Sequence, residues 1–146
     1  MIPPTNQETG YLPPGAHEAN WNEVAVRFGG NHVVREALMR KLLEACLNLA
    51  QAGCAELLLD GSFVTAKPEP GDYDGTWETH GVDVNLLDPV FLDSETGFAA
   101  VREKYLGDLF PASGVARPGE PFCDFFQTDR DGTRKGVVLL NLRSLP

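Results

Sequence analysis

The chain has 146 residues, a hydrophobic fraction of 42% and a net charge of −9, enough for one domain with a core and short for two. No apolar run approaches the roughly 18 residues that a membrane span needs. The acidic balance repels polyanions, which argues against long nucleic acid and leaves a magnesium-bound nucleotide or a basic protein partner.

The N-terminus, "MIPPTNQETG", lacks a basic region followed by an apolar stretch, so no signal peptide is expected. Three cysteines, Cys46, Cys54 and Cys123, form no CxxC spacing. An odd number without that spacing predicts reduced thiols in a cytoplasmic protein, not a disulfide frame or a zinc site.

Residues 1–15 carry four prolines and predict an extended arm ahead of a single domain over 16–146. In "HEANWNEVAVRFG", Trp21, Val24, Ala25 and Phe28 fall at helical spacing, and Gly29-Gly30 ends the pattern. Asn31 is the expected cap of a second helix over 32–53. Val34, Leu38, Leu42, Ala45 and Leu49 share one face of it, Glu36, Arg40, Glu44 and Asn48 the other, and Gly53 is the expected stop.

"AELLLDGSF" reads as a buried strand and "DYDGTWE" as a shorter one beyond a Pro-Gly loop. "GVDVNLLDP" reads as either strand or loop. "TGFAAVREKYLGDLF" predicts a helix with Phe98, Val101, Tyr105 and Leu109 on one face. "FCDFFQT" is a third strand by aromatic content, "DRDGTR" a polar turn, and "KGVVLLNL" a fourth strand, buried on both faces. The order helix, helix, strand, strand, helix, strand, strand predicts an α+β fold, a mixed sheet with helices packed against it.

The chemistry concentrates at 57–78. A strand ends in Gly61-Ser62, where glycine lets the backbone approach a bulky anion and its amides point at phosphate oxygens. Nine residues intervene before Asp72-Tyr73-Asp74. On a strand, Asp72 and Asp74 face one side and Tyr73 the other. Two carboxylates so close repel unless a cation sits between them, and hard oxygen ligands suit magnesium. Asp124, in the apolar segment "FCDFFQ", is the expected third carboxylate, since an aspartate there needs a partner. Its bland alternative is a buried acid bonded to backbone amides.

Lys67 reads as a phosphate ligand or a solvated loop lysine. Lys135, with Arg130 and Arg134, reads as a neutraliser of phosphate charge or a hairpin tip. Asp60 is expected to cap the turn, and His17, His32 and His80 are scattered. Trp21, Phe28 and Cys123 read as core.

Gly61-Ser62, the spacer, Asp72-x-Asp74 and a later lone aspartate resemble the nucleotidyltransferase superfamily of polymerase-beta-like fold, in its minimal form. "DGSFVTAKPEPGDYDG", "LDP", "LFPA", "FFQTDRDG" and "KGVV" resemble a group of small bacterial nucleotidyltransferase-like proteins, DUF6932, from about residue 11 to 142. Gly75 departs from the superfamily pattern, which has an apolar residue there, and predicts a weakened strand or a bulge.

The resemblance implies a nucleotidyltransferase-like mixed sheet. It implies two magnesium ions held by Asp72, Asp74 and Asp124, and a triphosphate held by Gly61, Ser62, Lys67 and Lys135. An acceptor hydroxyl then attacks the α-phosphorus of an NTP, ATP by expectation, and pyrophosphate leaves. The acceptor is expected on a separate macromolecule, such as a partner protein in a toxin–antitoxin or defence setting. The alternative is a catalytically inactive module of the same fold that binds a basic partner protein or senses nucleotides.

Overall fold

The computed structural model describes residues 1–30, 32–112, 115–117, 120–121, 129 and 131–146, with backbone alone at 115–117 and 120–121. Its elements are β1 (Gly15–Ala19), α1 (Trp21–Phe28), α2 (Val33–Gln51), β2 (Glu56–Asp60), β3 (Tyr73–Trp77), α3 (Ala99–Tyr105), β4 (Gly107–Pro111), β5 (Val115–Arg117), β6 (Glu120–Pro121) and β7 (Gly136–Asn141). Five of the strands form one sheet in the order β1-β7-β2-β3-β4, and β5 pairs with β6 apart from it. The two outer pairs, β1–β7 and β3–β4, are parallel. The inner pairs, β2–β7 and β2–β3, are antiparallel. This is the expected α+β architecture, a mixed sheet with helices packed on it.

Alternation along each strand divides the sheet into two faces. Leu57, Leu59, Tyr73, Leu109, Val138 and Leu140 turn to the core, where α2 supplies Leu38, Leu42, Ala45 and Leu49. Tyr73 is fully buried, as its position between the aspartates requires, and its hydroxyl donates to the Tyr105 carbonyl at 2.7 Å. The opposite face carries Asp60, Asp74 and Asp108. A regular register therefore decides which residues can meet there.

Several boundaries differ from the expectation. The segment 17–19 is strand, and α1 starts only at Trp21. Asn20 and Glu23 form a capping box that fixes this start, with the Asn20 side chain accepting from Glu23 N at 2.9 Å and Glu23 accepting from Asn20 N at 2.9 Å. The cap of α2 is His32, whose Nδ1 accepts from Val34 N at 3.1 Å, while Asn31 lies outside the described residues.

The helix expected over 96–110 is shorter. It ends at Tyr105, where Leu106 turns left-handed (φ 62°), and residues 107–111 become an edge strand, so Leu109 is a strand residue. Gly107 makes this possible: a Cβ there would lie 2.3 Å from the Tyr73 ring. The segment 81–89, which fits either strand or loop by its pattern, contains turns and leads into a 3₁₀ turn over Pro89–Leu92. The expected strand over 122–128 lies outside the described residues. β7 is buried apart from Leu139 and its last residue.

Gly75 does not bulge. It pairs in regular register with Leu59 and Leu109, and a Cβ there would lie 2.7 Å from the Leu58 carbonyl oxygen. Close neighbours on both sides, not a strand defect, account for the glycine.

The first fourteen residues form no regular element, yet Ile2 and Leu12 are buried. Ala66 N donates to Gly10 O at 2.9 Å, and Gly136 N donates to Leu12 O at 3.0 Å. The segment is thereby fastened to both the Gly-Ser loop and β7.

Among the described residues no helix is long and apolar enough to cross a membrane. Cys46 and Cys54 are buried free thiols, and Cys123 lies outside the described residues.

Candidate metal centre and cleft

The register aligns Asp60 opposite Asp74, and Asp74 opposite Asp108, in one row across β2, β3 and β4. Asp72, two residues before Asp74, joins the row from the same side. Asp72, Asp74 and Asp108 each bring a carboxylate oxygen within 4.8 Å of the others. Three oxygen donors crowded in this way could hold one metal ion.

The electrostatics agree with the geometry. Burial, and then the neighbouring carboxylates Asp72, Asp108 and Asp60, push the Asp74 carboxyl up to about 7. Burial, and then Asp108, raise Asp72, against the pull of Arg102 and Lys67. Arg102 bonds Asp108 Oδ1 through Nε and Nη2, each at 2.6 Å. Among the described residues Arg102 is the cation bonded to the cluster, with Lys67 and Lys135 acting at longer range. The crowded carboxylates still raise one another, a repulsion that a bound cation would relieve.

Beside this cluster lies an open cavity of about 830 Å³. One side is the loop after β2, contributing Gly61, Ser62, Thr65, Ala66 and Lys67. The N-terminal segment Glu8–Tyr11 and residues Asp129 and Lys135 form the rest, with Asp60 and Asp74 at the base. Gly61 has φ 83°, and a Cβ there would sit 2.4 Å from Asp74 Oδ2, so only glycine lets the loop run this close to the acidic row. After it, Ser62–Val64 form a 3₁₀ turn, and Thr65 Oγ1 donates to Ser62 O at 2.6 Å.

The structure thus brings Asp74, Gly61, Ser62, Lys67 and Lys135 around one cleft, with Asp72 next to Asp74 in the adjoining acidic cluster. Asp124 lies outside the described residues, and among the described residues the third carboxylate is Asp108. The sequence reading missed it because the helical period carries on through Leu106-Gly107. The signal was that glycine followed by an aspartate among apolar residues.

Lys135 lines the cleft with its ammonium 3.3 Å from Asp60 Oδ1. Asp60 is 1% exposed, and among the described residues neither of its oxygens has a hydrogen bond. Burial raises its carboxyl, with Lys135 opposing. Asp60 is thus not simply the turn cap its sequence position suggests. The N-terminal wall and Asp129, whose carboxylate accepts from Tyr11 Oη at 2.8 Å, carried no periodic signal.

The sheet, its helical cover and the acidic row on adjacent strands make up a nucleotidyltransferase-like architecture, and the aspartate cluster is consistent with a metal site of that kind. The chain belongs to DUF6932, a family of unknown function whose model matches residues 3–141. No curated protein and no solved structure matches it.

Proposed function

We propose that the protein is a magnesium-dependent nucleotidyltransferase that moves a nucleoside monophosphate from an NTP, ATP by preference, to a hydroxyl acceptor. The observation that carries this reading is the convergence of Asp72, Asp74 and Asp108, with Asp74 shared between that cluster and the cleft lined by Gly61 and Ser62. Asp72, Asp74 and Asp108 would hold one magnesium ion. Asp124 would be a further ligand for a second ion. Bound there, magnesium stabilises the attacking and leaving oxygens of an in-line displacement. Gly61 and Ser62 hold the triphosphate, with Lys67 and Lys135 at its rim. The acceptor oxygen forms a bond to the α-phosphorus, the bond to the β-phosphate oxygen breaks, and the acceptor's proton passes to a carboxylate of the cluster. The acceptor hydroxyl belongs to a separate partner protein, as in a cytoplasmic toxin–antitoxin or defence pair.

A second reading is a module of the same fold without catalysis. The cleft favours it in one respect: four carboxylates (Glu8, Asp60, Asp74, Asp129) face two lysines, which suits a basic partner protein. Labelled ATP and magnesium, incubated with the protein and a co-expressed partner, separate the two. Label transfer that disappears in Asp74→Asn supports the enzyme. Partner binding that survives this change, with no transfer and no calorimetric binding of any NTP, refutes it in favour of the module.

A further inference from the structure

We propose that Arg35 is the positioning residue of an anion grip: from behind the Gly-Ser loop it fixes the backbone that receives a polyphosphate and supplies that loop with a positive charge. The inference deepens the reading above and rests on it for the identity of the polyphosphate as the tail of a nucleotide.

Arg35 stands in the first turn of α2, facing inward, and is 7% exposed. Its guanidinium donates to four backbone carbonyls. Nη1 reaches Phe28 O at 2.9 Å and Phe63 O at 2.8 Å; Nη2 reaches Thr65 O at 2.9 Å and Lys67 O at 2.5 Å. The guanidinium also lies over the Phe63 ring, 5.4 Å from its centroid. Three of the four acceptors belong to the loop after β2 that forms one side of the cleft. The rigid fork of arginine meets alternate carbonyls, 63, 65 and 67, from two nitrogens held a fixed distance apart, a spread that the single nitrogen of a lysine lacks.

Among the described residues no carboxylate pairs with Arg35. A buried charge carries a desolvation cost that only well-placed hydrogen bonds offset, and here carbonyl dipoles solvate it without cancelling it. The cleft in front of the loop is otherwise acidic, so a polyphosphate arriving with magnesium meets a loop whose backing charge is positive. Fixing the carbonyls inward also means that the cleft-facing side of 61–67 is set before a ligand arrives, which lowers the ordering cost of binding. Arg35 touches neither the ligand nor the aspartates; it acts through the loop.

The test uses inorganic triphosphate and ATP, each with magnesium, on the full chain and on Arg35→Gln and Arg35→Lys. Calorimetry is expected to show both ligands weakened about tenfold in Arg35→Gln and less in Arg35→Lys, the range for charge-assisted hydrogen bonds. Manganese binding at the aspartates, read by electron paramagnetic resonance, stays within about twofold of wild type, which a general loss of structure would not allow. In wild type, triphosphate shifts the amide resonances of 61–67, a readout that needs no variant to fold.

A folded Arg35→Gln that binds inorganic triphosphate as wild type does overturns the proposal. So does a wild type that fails to bind it, or binds it with no change at 61–67. Triphosphate binding that depends on Arg35, in a protein that transfers no nucleotidyl group, upholds the grip and overturns the enzymatic reading instead.

Discussion

Asp74 is where the charge arrangement has its sharpest consequence. Its carboxyl is raised from 3.8 to about 7 by burial and by Asp72, Asp108 and Asp60. The folded protein therefore binds more protons at this site than the unfolded chain between those values, so folding stability falls as pH rises from about 4 to about 7. A tenfold difference in proton affinity between the folded and unfolded states is worth about 1.4 kcal/mol. Urea midpoints at pH 5 and pH 8 are expected to show the fall, manganese to reduce it, and Asp74→Asn to flatten it; a midpoint that rises over this range contradicts the site's electrostatics. Asp108 gives a second, separate check. Asp108→Asn is expected to weaken manganese binding by at least about tenfold, a loss comparable to that of supporting ligands in metal sites. Titration with unchanged affinity would remove Asp108 from the ligand set.

At the scale of elements, the acidic row exists because β4 follows α3 without a loop. Leu106 turns left-handed and Gly107 lies against the Tyr73 ring, and these two residues convert a helix into an edge strand in register with β3. Gly107→Ala puts a Cβ among the ring carbons and is expected to cost about 1–3 kcal/mol, as overpacking does. It should also weaken manganese binding, because β4 must move away from β3 with Asp108 on it. Chemical denaturation and the metal titration check both, and an alanine variant equal to wild type in the two would show that the strand is not held by this contact.

For the whole molecule, the N-terminal segment is part of the cleft wall through Glu8–Tyr11. Leu12 is 1% exposed, and its carbonyl accepts from Gly136 N just after Lys135. Leu12→Ala is expected to destabilise the fold by about 2–5 kcal/mol. A midpoint shift worth less than about 0.5 kcal/mol, the size of a surface change, would mean that the segment is a loose arm.

The residue types of the site, the Gly-Ser turn, the Asp-x-Asp pair and the long helix α2 were legible in the sequence, because each rests on local chemistry: backbone freedom at Gly61, a period of two at Asp72 and Asp74, a period of 3.6 along 33–51. Tyr73 facing inward followed from the same alternation. What the sequence could not determine was which distant residue completes the row. Asp124 and Asp108 both stand among apolar neighbours, and local patterning extends the helix over Asp108 because Leu109 falls in step with Phe98, Val101 and Tyr105. Only strand pairing, a relation between residues more than thirty positions apart, set Asp108 opposite Asp74. The same holds for Arg35, a charged residue on the side of a helix whose acceptors are backbone carbonyls, and carbonyls carry no sequence signal at all.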